Sequence, residues 1–200
     1  MSQEAGPGPT PRRRTAAVVP AAGQSTRFGS RKLIADVDGV PLIERTIASL
    51  LQAGVDRVIV VVRAGDDFEG VPSLADARVT TVVNPDPALG MFSSIQTGLA
   101  VCGGDVVLVL PADMPFVPAS VVAAVAARAF ETDSIVVPVY QTRRGHPLAV
   151  PRAIADRLLT LAPTGTLKDG LAGFGLAPVP LDVADPGILR DVDVPADLTR

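Results

Sequence analysis

Short runs of β-branched residues alternate with helix-length segments along this chain, and that alternation restricts its fold more than any other feature. The runs occupy residues 17–20, 57–62, 79–83, 106–110 and 135–139. Repeated strand-then-helix spacing implies a mostly parallel sheet with helices on both faces. Between the first two runs, residues 41–53 carry Leu42, Ile43, Ile47, Leu50 and Leu51 at helical spacing. Pro41 suits the first turn of that helix and Gly54 its end. Residues 118–129 offer a second helix behind Pro118, and a third is expected to end near Val101, with Ser93 and Gln96 at capping-box spacing. Residues 148–150 read as a strand that pairs with 135–139 through a turn at 142–145, an antiparallel hairpin in a parallel pattern. Residues 151–161 return to helical spacing.

The chain has 200 residues, 48% of them apolar, which suits one domain over residues 15–200 behind a disordered Gly- and Pro-rich tail at 1–14. A formal charge of -3 gives no general attraction to nucleic acid or to a membrane, so any basic cluster serves a local anion. Arg12, Arg13 and Arg14 before an apolar run imitate a secretory signal. The run is too short, is broken by Pro20, and leads into Arg27, Arg31 and Lys32 instead of a cleavage site. No stretch reaches the ~18 apolar residues of a membrane span. The single cysteine, Cys102, reads as a small buried residue, and a cytoplasmic location is expected.

Candidate chemistry gathers where strands end. The first strand runs into Ala21-Ala22-Gly23-Gln24-Ser25-Thr26-Arg27-Phe28-Gly29-Ser30-Arg31-Lys32, a small-residue loop with three cations at the edge where open α/β sheets bind ligands. Its main-chain N–H groups, Arg27 and Lys32 could surround a polyphosphate, although the spacing fits neither a Walker loop nor a dinucleotide fingerprint. Asp36-Val37-Asp38-Gly39 reads as a turn. Asp113 follows the fourth strand, where it could cap the next turn or hold magnesium through its carboxylate. Asp193 has the same two readings near the C-terminus, with Asp191 as its rival. Gly90, Ser93 and Ser94 open a helix whose N-terminus could accept an anionic or nucleotide group. His146, the only histidine, lies in the hairpin and is a substrate-contact candidate.

In order along the chain, Ala21-Ala22-Gly23 through Lys32-Leu33, Gly90-Met91-Phe92-Ser93-Ser94-Ile95 with Gly98-Leu99, Asp113-Met114-Pro115, Gly145-His146-Pro147 and Asp193-Val194-Pro195 resemble the molybdenum-cofactor nucleotidyltransferases (MobA-like NTP transferases). The cytidylyltransferase branch is the most similar, because Ala22 stands where the guanylyl branch usually has a further glycine. The resemblance implies a three-layer α/β/α, Rossmann-like fold of the nucleotide-diphospho-sugar transferase type. It implies that Arg27 and Lys32 are catalytic and bind triphosphate, and that Ala21, Ala22, Gly23, Ser94 and Asp113 complete the nucleotide site. Gly90, Ser93 and His146 would face the acceptor, and Asp113 and Asp193 would hold Mg2+. The expected reaction moves CMP from CTP to molybdopterin and releases pyrophosphate, for eventual delivery to a recipient molybdoenzyme. Guanylyl transfer, transfer to another phosphorylated acceptor, and a non-catalytic cofactor-binding accessory protein are the alternatives.

Overall fold

The structure, a computed structural model, describes residues 12–23 and 32–193. Its elements are β1 (Thr15–Pro20), β2 (Asp36–Val37), β3 (Val40–Pro41), α1 (Leu42–Gln52), β4 (Arg57–Val62), β5 (Val79–Val83), α2 (Met91–Cys102) and β6 (Val106–Val109). They continue with α3 (Ala119–Thr132), β7 (Val136–Tyr140), β8 (Arg143–Arg144), β9 (Leu148–Pro151), α4 (Arg152–Leu158), α5 (Leu167–Gly173) and β10 (Val179–Asp182). The main sheet has the order β10-β7-β9-β6-β1-β4-β5, with β8 against β7, while β2 and β3 form a separate two-stranded ribbon.

Side-chain alternation divides the core between two faces. In β4, Val58, Val60 and Val62 join α1 and α3 on one side, while Ile59 and Val61 join α2, α4 and α5 on the other. The result is the expected three-layer α/β/α arrangement. Parallel pairs join β1 to β4, β1 to β6 and β4 to β5. The carboxyl ends of these strands therefore lie along one edge, followed by Ala21, Arg63, Asn84 and Leu110.

α1 buries Leu42, Ile43, Thr46, Ile47, Ser49 and Leu50, starts directly after Pro41, and is followed by Gly54 at φ +81°. The helix 151–161 is shorter than expected, ending at Leu158. The expected antiparallel pairing of β9 with β7 is present, though it is short and not a simple hairpin. β7 turns back at Gln141 and Thr142, both at positive φ, and pairs there with β8, whereas β9 pairs antiparallel with β6 over four residues and meets β7 at one pair. All four β9 residues are buried, so the strand is stable only with a neighbour on each side, and the sheet admits it between β6 and β7.

The capping-box expectation is corrected too: Gly90 precedes α2 at φ +99°, and Ser93 lies inside the helix. Its hydroxyl donates to the Gly90 carbonyl at 2.7 Å, and the Gln96 amide donates to the carbonyls of Leu158 and Leu161. Just ahead of β1, Arg12 pairs with Asp56 at 3.0 Å and Arg13 donates to the Phe130 carbonyl at 2.7 Å.

Gly98 shows why a motif glycine need not serve chemistry. A β-carbon there would meet both γ-methyls of Val18, and one of Val61 at 3.1 Å, because α2 lies directly on β1 and β4. Alanine gains ~1 kcal/mol of helix propensity, while overpacking costs ~1–3 kcal/mol. Gly98→Ala is therefore expected to lower stability in a denaturant titration. A raised midpoint would show that Val18 yields at no cost.

Candidate active site

Two strands and a returning segment assemble the site. Beyond β1, Ala21 N donates to the Val61 carbonyl at 2.7 Å, so Ala21, Ala22 and Gly23 continue along the sheet edge. Beyond β6, Leu110 N donates to Val18 O and Ala112 N to Pro20 O, at 3.1 and 3.2 Å, carrying strand pairing to the residue before Asp113. The chain then returns near its C-terminus. Val192 N donates to the Asp113 carbonyl at 3.0 Å, and its side chain is buried with Val37 and Leu42, which sets Asp193 beside Asp113.

Lys32 connects these parts. It is 7% exposed, and its Nζ donates to Asp113 Oδ2 at 2.9 Å and to Asp193 Oδ1 at 3.1 Å. Burial works against its charge, but hydrogen bonds and fields from the two carboxylates outweigh burial and raise its pKa above the ordinary value. Of the two C-terminal rivals, Asp193 is the one that reaches Lys32. Arg27 lies outside the described residues.

Two carboxylates suit a divalent cation, the cofactor type expected in such a site. Among the described residues no three His, Cys, Asp or Glu side chains gather to hold a metal. An ion between Asp113 and Asp193 would therefore complete its shell with phosphate oxygens and water, as magnesium does.

The remaining candidates occupy the same edge in different ways. Ser93 and Ser94 are buried, and each hydroxyl accepts a 2.9 Å bond from the side-chain amide of Asn84. Gly90 supplies the positive φ that brings the chain into α2. His146 is half-buried, and its Nδ1 is buried without a hydrogen-bond partner among the described residues. Burial lowers its pKa, opposed by a backbone hydrogen bond with Val109 and by the fields of Asp113 and Asp191. Gly145 precedes it where a β-carbon would strike the Ile188 backbone, and His146 N donates to Ile188 O at 3.0 Å.

Sequence reasoning missed several supporting residues. Asn84 is 3% exposed and pins both serines; its signal was a polar residue directly after β5. Thr46 and Ser49 donate from α1 to the carbonyls of Ala112 and Val117, at 3.0 and 2.6 Å, and brace the Asp113 loop from below. Arg63 and Asp66, ion-paired at 3.3 Å just beyond β4, line a small cavity with Ala21 and Gly23.

Residues 17–175 match the family model of the MobA-like NTP transferase domain. The chain belongs to the MobA-like NTP transferase family. A probable molybdenum cofactor guanylyltransferase of Natronomonas pharaonis is 31% identical over 195 residues, covering 92% of this chain and 94% of its own length. A 2-C-methyl-D-erythritol 4-phosphate cytidylyltransferase of Rhodococcus opacus is 40% identical over 115 residues, 56% of this chain and 49% of its own. Among solved structures, a nucleotidyl transferase from Methanothermobacter superimposes with a TM-score of 0.75 at 24% identity, covering 92% and 94% of the two chains. As a MobA-like NTP transferase, this chain is a nucleotidyltransferase. Among its described residues no helix is long and apolar enough to cross a membrane.

Proposed function

We propose that this nucleotidyltransferase transfers CMP from CTP to molybdopterin and releases pyrophosphate, with magnesium held by Asp113 and Asp193. The observation that carries the reading is the meeting of Lys32, Asp113 and Asp193 at one sheet edge, beside the main chain of Ala21, Ala22 and Gly23. In the reaction an oxygen of the acceptor's terminal phosphate bonds to the α-phosphorus of the nucleotide. The bond from that phosphorus to the bridging oxygen breaks, and pyrophosphate leaves with the electron pair. The acceptor phosphate is ionised at neutral pH, so no protein base is required and positioning dominates.

Lys32 supplies fixed positive charge where the phosphates build negative charge, and Arg27 is assigned the same task by resemblance. Magnesium, when bound, would neutralise phosphate oxygens. Ala21 to Gly23 and Ser94 belong to the nucleotide side. Gly90, Ser93 and His146, whose Nδ1 has no hydrogen-bond partner among the described residues, belong to the acceptor side. A molybdoenzyme is the recipient that such a product implies, and a cytoplasmic location is proposed for the chain itself.

Ala22 favours cytidine over guanosine by resemblance, and the cytidylyltransferase of Rhodococcus supports that base. Guanylyl transfer is the second reading, favoured by the name of the Natronomonas relative. Pyrophosphate release from CTP, GTP, ATP and UTP, each with magnesium and purified molybdenum cofactor, separates the two. CTP is expected to react at least about tenfold faster than the others, a difference of ~1.4 kcal/mol in barrier. Turnover confined to GTP replaces the base assignment, and no turnover with any nucleotide overturns this acceptor.

A further inference from the structure

The amino edge of the sheet, opposite the lysine-carboxylate cluster, carries a cavity of about 430 Å3. Its walls include Arg14, Arg57, Arg78, Thr80 and the Gly103–Gly104 turn after α2. Strand order explains the concentration of charge. β1, β4 and β5 are neighbours, and each starts at an arginine: Arg14 just before β1, Arg57 as the first residue of β4, and Arg78 just before β5. Register pairs Ala16 with Arg57 and Ile59 with Thr80, and alternation places these positions on the sheet face that α2 covers.

Not all of this charge is available. Arg78 is engaged by the Asp76 carboxylate at 2.8 and 3.1 Å and by the Leu51 carbonyl at 3.2 Å. Asp56, the carboxylate in the wall, is taken by Arg12 at 3.0 Å and by Thr15 N at 2.9 Å. The C-terminal carbonyls of α2 have a cation of their own, since Arg152 from α4 donates to Leu99 O at 3.4 Å. The side chains of Arg14 and Arg57 have no ion pair or hydrogen bond among the described residues, and both are exposed. Two glycines contribute side-chain-free backbone to the lining. Gly103 and Gly104 have φ of +66° and +80°, and a β-carbon on Gly104 would lie 3.0 Å from Ala16 Cβ and 3.3 Å from the Arg14 carbonyl.

Two guanidinium groups without partners among the described residues, a hydroxyl on Thr80 and the backbone of two glycines, within a concavity of ligand size, are the parts of an oxyanion site. We infer that this cavity is a second anion site that binds a phosphorylated small molecule, with its phosphate between Arg14 and Arg57. It lies at the opposite end of the strands from the transfer site and does not depend on the substrates assigned there. The net charge of -3 confines the attraction to this local cluster, which favours a small phosphate ester over a nucleic acid.

The test is an NMR titration of the isotope-labelled full chain with inorganic phosphate and with ribose 5-phosphate. Saturable shifts are expected at the amides of Arg57, Thr80, Gly103 and Gly104. Arg57→Gln and Arg14→Gln are each expected to weaken binding about tenfold or more at an unchanged melting temperature, because each removes a charge-assisted contact. Non-saturating shifts, equal affinity in the variants, or shifts confined to Ala22, Gly23 and Lys32 would overturn the assignment. Tighter binding of a short oligonucleotide than of ribose 5-phosphate at this edge would overturn the small-molecule class.

Discussion

Asp113→Asn is expected to reduce pyrophosphate release by ~10²–10³ while leaving the protein folded. Asparagine keeps the shape and one acceptor oxygen but loses the charge that a divalent cation requires. Losing one preorganised electrostatic contact of this kind costs ~3–4 kcal/mol of barrier, or ~10²–10³ in rate. Stability is expected to change by only ~1 kcal/mol, because the Asp113 and Asp193 side chains are 26% and 56% exposed and water screens their pairing with Lys32. Asp193→Asn is expected to produce a similar loss of activity, and Asp191→Asn a small one, because Asp193 is the residue that shares Lys32 with Asp113. Activity of Asp113→Asn within tenfold of native protein would remove it from the metal site.

The parts of this fold that were legible in the sequence are those whose signals are local. A strand such as β4, covered on both faces, reads as an unbroken β-branched run, and α1 shows its apolar stripe between Pro41 and Gly54. β10 was missed because it is a half-exposed run of four residues interrupted by Pro180, which the edge of the sheet tolerates. α5 was missed because Gly170 and Gly173 weaken its pattern, and the Gly170 position is crowded, with Leu161 Cδ1 2.8 Å from where a β-carbon would stand. For β9 the strand and its antiparallel neighbour β7 were legible, while its longer pairing with β6 was not, since a run of four apolar residues does not say which strand lies on its other side. The candidate site divides in the same way. Asp113 and Lys32 stand beside strand ends and were visible there. The supports Thr46, Ser49 and Asn84 act through contacts 66, 68, 9 and 10 residues away, which spacing alone does not reveal.

Lys32→Met is expected to lower transfer by ~10²–10³ and, less obviously, to make stability responsive to magnesium alone. In the native chain the ammonium already lies between Asp113 and Asp193, so a divalent ion without nucleotide competes with a built-in cation for the same two carboxylates. Methionine fills the volume of the buried stem but leaves the carboxylates facing each other without a counter-charge. Magnesium then binds the folded form in preference to the unfolded one and stabilises it by mass action. With the ion at ~10 times its dissociation constant, the gain is ~1.4 kcal/mol, or ~3–6 °C in melting temperature for a chain of this size. The native protein should shift by less. A second readout follows from the raised pKa of Lys32. Its contribution is complete below the ordinary lysine value of 10.5 and is lost as pH rises above that value through the folded one, so native stability should show an alkaline step that the variant lacks. Equal magnesium shifts in both proteins would show that the ammonium and the metal do not contend for one place, and the two carboxylates would then have to bind the ion with Lys32 still between them.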